Sequence, residues 1–113
     1  MQMLKQEKYQ TCIDTCMNCA ETCEACATDC TKDSNIKMLA KCLFVLRDCA
    51  DICTMSSRFM SRTSMYSKNM CRVCADICDA CAAECDKHKS MESCKVCADA
   101  CRMCASECRK MMA

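Results

Sequence analysis

The sequence predicts an all-α protein: an antiparallel four-helix bundle with a cysteine-lined core. Three observations predict it. Cys71, Cys74, Cys78, Cys81 and Cys85 step by three, four, three and four residues, and on an α-helix such steps return to one face, so the five sulfurs form a stripe. The stripe recurs in the same register at Cys94, Cys97, Cys101, Cys104 and Cys108, again at Cys16, Cys19, Cys23, Cys26 and Cys30, and in degraded form around Cys49-Ala50-Asp51-Ile52-Cys53. In that fourth copy Leu46, Ser56 and Met60 stand where the others carry cysteine, and Cys42 adds a sulfur one turn earlier. Finally, the chain has 113 residues and neither Gly nor Pro, where ordinary usage would supply about a dozen. Without these breakers, long helices with short polar connections are the natural reading. The repeat is a single helix, so a closed bundle fits better than a solenoid.

Taken in order, the first helix is predicted from about Met3 to Thr31, with Cys12, Cys16, Cys19, Cys23, Cys26 and Cys30 along one face. Thr31 to Asn35 connects, with Asp33 or Ser34 as the next N-cap. The second helix runs from about Asn35 to Arg62, its inward seam reading Leu39, Cys42, Leu46, Cys49, Cys53, Ser56 and Met60, with Phe59 and Met60 as an apolar plug. Thr63 or Ser64 caps the third helix, from about Met65 to Lys87, in which Met65, Tyr66 and Met70 precede the stripe. Ser90 caps the fourth, from Met91 to about Met111, whose last turn carries Arg109 and Lys110 at the negative end of the helix dipole. Short connections make successive helices antiparallel. One end of the bundle then gathers Cys30, Met38, Cys85, His88, Met91 and Cys94, and the other gathers Leu4, Phe59, Met60, Met65, Tyr66 and Met111. A chain of this length forms one domain, residues 1–113.

Composition narrows the function. Nineteen cysteines exceed the ~8–10% typical of a disulfide scaffold. Yet their number is odd, they lie in helical stripes, and Met1 to Lys8 has no apolar h-region. A reducing cytoplasm with thiolates held for metal is the expectation. The formal charge is +1 with mixed signs and few aromatics, which argues against nucleic acid. No apolar run approaches the ~20 residues of a membrane span.

A buried cysteine packs like a small hydrophobe, and one or two need no other reason. A seam of them points to soft-metal binding. Residues four apart on a helix have Cβ atoms about 5–6 Å apart. Cys12/Cys16, Cys19/Cys23, Cys26/Cys30, Cys49/Cys53, Cys74/Cys78, Cys81/Cys85, Cys97/Cys101 and Cys104/Cys108 are therefore two-thiolate clamps suited to Cu(I). Zn(II) asks for four ligands in a tetrahedron. Unpaired thiolates are costly to bury, and one Cu(I) per thiolate leaves the core neutral, so roughly one ion per cysteine is expected. The Cys-x-x-Cys words lie mid-helix and in tandem, unlike a redox motif at a helix start. His88, the only histidine, is expected in a loop, either exposed or as a transient ligand at the mouth. Met38 and Met91 read as core fillers or as a thioether relay. Asp29, Glu84 and Glu107, each just before the last cysteine of a copy, read as solvated.

At these residues the chain resembles the bacterial copper storage proteins, above all their cytosolic branch. The likeness rests on the Cys-x-x-x-Cys pairs in four helices and on the Cys-Ala-Asp-x-Cys words at 49–53, 74–78 and 97–101, and it covers nearly the whole chain. It implies a bundle storing many Cu(I) ions, often as a homotetramer, with copper admitted at one end. The ligand role falls on Cys12, Cys16, Cys19, Cys23, Cys26, Cys30, Cys42, Cys49, Cys53, Cys71, Cys74, Cys78, Cys81, Cys85, Cys94, Cys97, Cys101, Cys104 and Cys108. The uptake role falls on His88, Met38 and Met91. The partners implied are copper ions, further copies of the chain, and a copper chaperone or a copper-requiring enzyme. The reading is a binding protein, not an enzyme. Its rivals are a zinc or mixed-metal thiolate buffer, a thiol redox protein, and a redesigned scaffold of the same architecture.

Overall fold

A computed structural model describes residues 2–112, with side chains from Glu7 onward. Four helices follow one another: α1 (Gln2–Thr31), α2 (Ala40–Ser61), α3 (Ser67–Asp86) and α4 (Glu92–Met112), with a 3-10 turn at Ile36–Leu39 before α2. Helix α1 packs on α2 and α4, and α3 on α2 and α4, which is the square of an antiparallel bundle. Its 30 residues span about 45 Å at ~1.5 Å each, and the molecule measures 51 × 21 × 18 Å. The narrow cross-section follows from the residues inside. Cysteines fill the axis, and Ala20, Ala27, Ala50, Ala75, Ala82, Ala98 and Ala105, each directly after a cysteine, are also buried. Small side chains at both positions let the helix backbones approach closely.

The helix boundaries follow the expected ones except near the caps. Asp33 and Ser34 do not cap α2. The Asp33 carboxylate accepts the Asn35 N–H at 2.8 Å, the 3-10 turn intervenes, and Leu39 occupies the N-cap of α2 without a side-chain bond. Ser64 Oγ accepts the Tyr66 N–H at 3.0 Å, but the N-cap of α3 is Tyr66. Ser90 is displaced as well. The Met91 carbonyl takes the first helical bond, from Lys95 N–H at 3.1 Å, so Met91 stands in the capping position of α4. Met65 and Tyr66, expected at the start of α3, precede it and are exposed. Leu4 lies outside the described side chains.

The α2–α3 corner turns without glycine. Ser64 N–H reaches Phe59 O and Thr63 N–H reaches Met60 O, both at 3.0 Å. This is the paired bonding of a Schellman motif, which needs a left-handed residue just past the helix. Thr63 fills that place with φ 50°, an uncommon conformation for a β-branched residue. Arg62 lays its guanidinium over the Phe59 ring at 4.4 Å from the centroid. Left-handed backbone costs a non-glycine residue about 1–2 kcal/mol, partly offset by the larger unfolded-state entropy of glycine. Thr63→Gly is therefore expected to raise the stability of the metal-free protein by about 0.5–1 kcal/mol, read as a higher urea midpoint at unchanged slope; a lower midpoint would contradict the strained turn.

Candidate metal centre

All nineteen cysteines are free and buried, eighteen of them in the three full copies, the Cys49/Cys53 pair and Cys12, with Cys42 extending the seam as expected. The sulfurs sit in contact rather than bonded, from 3.5 Å between Cys104 and Cys16 to 4.0 Å between Cys23 and Cys101, against ~2.05 Å for a disulfide. The disulfide scaffold set aside on sequence grounds is thus not the state described.

The expected clamps are only part of the arrangement. Cys49/Cys53, Cys74/Cys78 and Cys97/Cys101 meet within their helices at 4.0, 3.9 and 3.9 Å. Contacts between helices are as close or closer: Cys23–Cys97 and Cys49–Cys78 at 3.6 Å, Cys53–Cys74 and Cys26–Cys94 at 3.7 Å, Cys42–Cys85 at 3.9 Å. Sulfurs from several helices therefore converge. Cys19, Cys23, Cys49 and Cys101 lie mutually within 4.8 Å, as do Cys16, Cys74, Cys104 and Cys108, and Cys23, Cys81, Cys97 and Cys101. Cys23 and Cys101 belong to two of these groups. Separate ions in separate cages do not fit such sharing; bridging sulfurs do.

Electrostatics sharpen the point. A sulfur that loses its proton here is held by neighbouring S–H groups and at once opposes ionisation next door. Hydrogen bonding, with Cys101 foremost, pulls Cys97 and Cys81 down, while Cys101, hydrogen-bonded foremost with Cys19, is pushed up. Only some sulfurs of the empty core can be anionic together. A soft cation in place of each proton removes that conflict.

The end formed by the first and third connections gathers the residues assigned to uptake. Met38, His88 and Met91 line one pocket of about 220 Å³ with Asp33, Asn35, Leu39, Lys87 and Ser90. Met38 is exposed, whereas the His88 side chain is only 16% exposed. Its Nε2 is buried without a hydrogen-bond partner and faces Glu84 Oε2 at 3.6 Å. Glu84, read from sequence as solvated, is buried. Lys87 at 3.2 Å and Lys41 of α2 at 3.8 Å compensate its charge. The spacing of Glu84, Lys87 and His88, three and four apart at a helix end, was the available signal. Asp29 is exposed, as expected, and bonds to Ser93 across to α4; Glu107 is half-buried beside Lys110 at 2.9 Å. At the opposite end, among the described residues of the expected apolar set, only Met60 is fully buried, and Cys71 Sγ donates to its Sδ at 3.7 Å.

Burial pushes Cys30 up, and burial foremost pushes Cys94 from 9.0 to about 12. Both belong to the mouth. In the unfolded chain a thiol ionises near 9.0 while folded Cys94 keeps its proton. The Cys94 contribution is present below pH 9.0 and is lost as pH rises toward 12, and that of Cys30 falls in the same direction. Anaerobic urea titrations of the metal-free protein are expected to show this loss, and Cys30→Ala/Cys94→Ala to flatten it; an equal slope in both proteins would contradict the assignment.

Comparison with known proteins gives the same direction. The family model described as copper storage protein matches residues 5–113. An uncharacterised cysteine-rich protein of Bacillus subtilis, YhjQ, is 42% identical over 83 residues, 73% of this chain and 77% of that protein. The solved structure of the Cu(I)-bound copper storage protein BsCsp3 superposes with TM-score 0.90 at 40% identity, covering 94% of this chain and 99% of the other. A cytosolic copper storage protein from Streptomyces lividans, carrying five coppers, gives 0.90 at 37% identity over 96% and 95% of the two chains. This chain belongs to the copper storage protein family.

Proposed function

We propose that this protein, a single domain, stores Cu(I) in the cytoplasm, its nineteen cysteine sulfurs serving as ligands at roughly one ion per thiolate. The observation that carries this is the continuity of the seam: every cysteine is buried and free, and neighbouring sulfurs from four helices touch along the axis. Sulfur is the soft donor that Cu(I) prefers. One monovalent ion per thiolate keeps the core neutral, whereas a divalent ion held by four thiolates leaves two negative charges per site. Four-sulfur groups of the kind described also suit zinc, which makes a zinc buffer the second reading. No helix among the described residues is long and apolar enough to cross a membrane. Exposed Phe44 and Met55 on α2 offer apolar surface for the homotetramer that the family resemblance implies. A copper chaperone or copper-requiring enzyme would meet the store at the mouth.

Uptake is assigned to the His88 pocket. His88 lines this pocket, its buried Nε2 free of hydrogen bonds and 3.6 Å from Glu84 Oε2, and Met38 and Met91 bring soft sulfur to the same opening. Glu84 positions the imidazole and, through Lys41, ties α2 to α3 there.

Anaerobic titration of the reduced protein with Cu(I) against a chromophoric chelator is expected to end near one ion per cysteine. The same titration on Cys74→Ala/Cys78→Ala should end about two ions lower with the bundle still folded. An endpoint at a handful of ions, with Zn(II) competing successfully, favours the zinc buffer. In stopped-flow loading, His88→Ala is expected to fill more slowly to an unchanged endpoint; an unchanged rate removes His88 from the uptake route.

A further inference from the structure

The geometry points to Met60 as a copper ligand, closing the seam at the end opposite the mouth with a neutral thioether. This rests on the Cu(I) reading above and extends it to a residue that carries no thiolate. Met60 is fully buried in the core. Its Sδ accepts a hydrogen bond from Cys71 Sγ at 3.7 Å. Cys71 belongs to a group with Cys12 and Cys108, whose sulfurs lie mutually within 4.8 Å. These residues come from four elements: the N-terminal half of α1, the end of α2, the start of α3 and the end of α4. They form the last layer with thiols before the α2–α3 corner.

That position sets a specific chemical need. An ion in the middle of the seam has thiolates above and below it. An ion in the final layer has them on one side only. An extra thiolate there would add a negative charge with no further ion to balance it, and that charge would be buried. A thioether supplies a soft donor and no charge. Packing alone does not ask for sulfur. In the degraded copy, Leu46, Ser56 and Met60 replace three cysteines. Leu46 fills its core position as a hydrocarbon, and Ser56 turns its hydroxyl to the Met70 carbonyl at 3.3 Å. Only Met60 keeps a sulfur, and that sulfur touches a thiol.

The step itself is an exchange. Cu(I) takes the place of the Cys71 proton between Sγ and Sδ; the Cys71 S–H bond breaks, a sulfur–copper bond forms, and the proton leaves to buffer. Copper stays monovalent throughout. With metal–sulfur bonds of about 2.3 Å, three-coordinate sulfurs sit about 4.0 Å apart, so the 3.7 Å contact needs to open only slightly.

The test is the crystal structure of fully Cu(I)-loaded protein, with anomalous scattering recorded at the copper edge, for the natural chain and for Met60→Leu, a volume-conserving change. The expected result is a copper peak within bonding distance of Met60 Sδ, about 2.3 Å. In Met60→Leu that peak weakens or is lost, while the peaks among Cys49, Cys53 and Cys78 persist. A copper beside Cys12, Cys71 and Cys108 but out of reach of Sδ, or an undiminished peak in Met60→Leu, overturns the assignment and leaves the store intact. Absence of copper from the whole thiol seam overturns the storage reading and this ligand with it.

Discussion

The structure depends on one constraint: many sulfurs share a core that cannot hold many negative charges. The thiol form satisfies it by staying protonated, in contacts of 3.5–4.0 Å. In the proposed store the metal-bound form satisfies it by matching each thiolate with a monovalent cation. The rest of the molecule follows from keeping the sulfurs close enough for both. Alanines beside the cysteines let the helices approach, and long uninterrupted helices keep the stripes in register over the whole bundle. The absence of glycine and proline suits such helices, and Thr63 takes on the left-handed turn that glycine usually provides.

The two ends of the seam solve different problems. The mouth has to pass a charged ion into a region that excludes charge. There the buried Glu84 is compensated by Lys41 and Lys87, and His88 Nε2 lies 3.6 Å from its carboxylate without a hydrogen bond. Met38 and Met91 line the same opening, which is why the proposed uptake route runs through them. The far end has only to stop the seam. Its outer shell holds serines bonded to backbone carbonyls, such as Ser67 to Ser64 O at 2.8 Å, and a half-buried Phe59 beneath Arg62. Among the described residues neither end holds a buried charge left without compensation.

The helices and the sulfur seam were legible because they rest on periodicity, which survives small errors of boundary. Every cysteine placed inward by its three-and-four spacing is buried. What the spacing could not convey is pairing between helices. Cys23 meets Cys97, and Cys49 meets Cys78, only once the axial offset between helices is fixed. That offset is set by the connections, where the sequence was least informative. Asp33, Ser34, Thr63, Ser64 and Ser90 were the expected caps, yet Leu39, Tyr66 and Met91 hold the capping positions. Glu84 was misread for a related reason. Its position in the repeat matches exposed Asp29, and only the fold of the third connection, which brings His88 and Lys87 back over it, buries it.

A store has to fold when empty, and the same residues have to serve both states. Cysteine meets this better than any other ligand. As a thiol it packs like a small hydrophobe, so the empty bundle has a true core; as a thiolate it is a soft metal ligand. The geometric adjustment is small but not zero. Two-coordinate sulfurs on metal bonds of about 2.3 Å lie about 4.6 Å apart, and three-coordinate ones about 4.0 Å, against contacts of 3.6–4.0 Å in the middle of the seam. A cysteine has one side-chain torsion with three staggered wells, and rotation about it moves the sulfur while the helix stays fixed. Four-sulfur groups that share members then give an arriving ion several pairs to choose from. Three-coordinate sites need the least opening, and they require sulfurs that bridge. The shared membership of Cys23 and Cys101 in neighbouring groups is what such a bridged chain of ions demands.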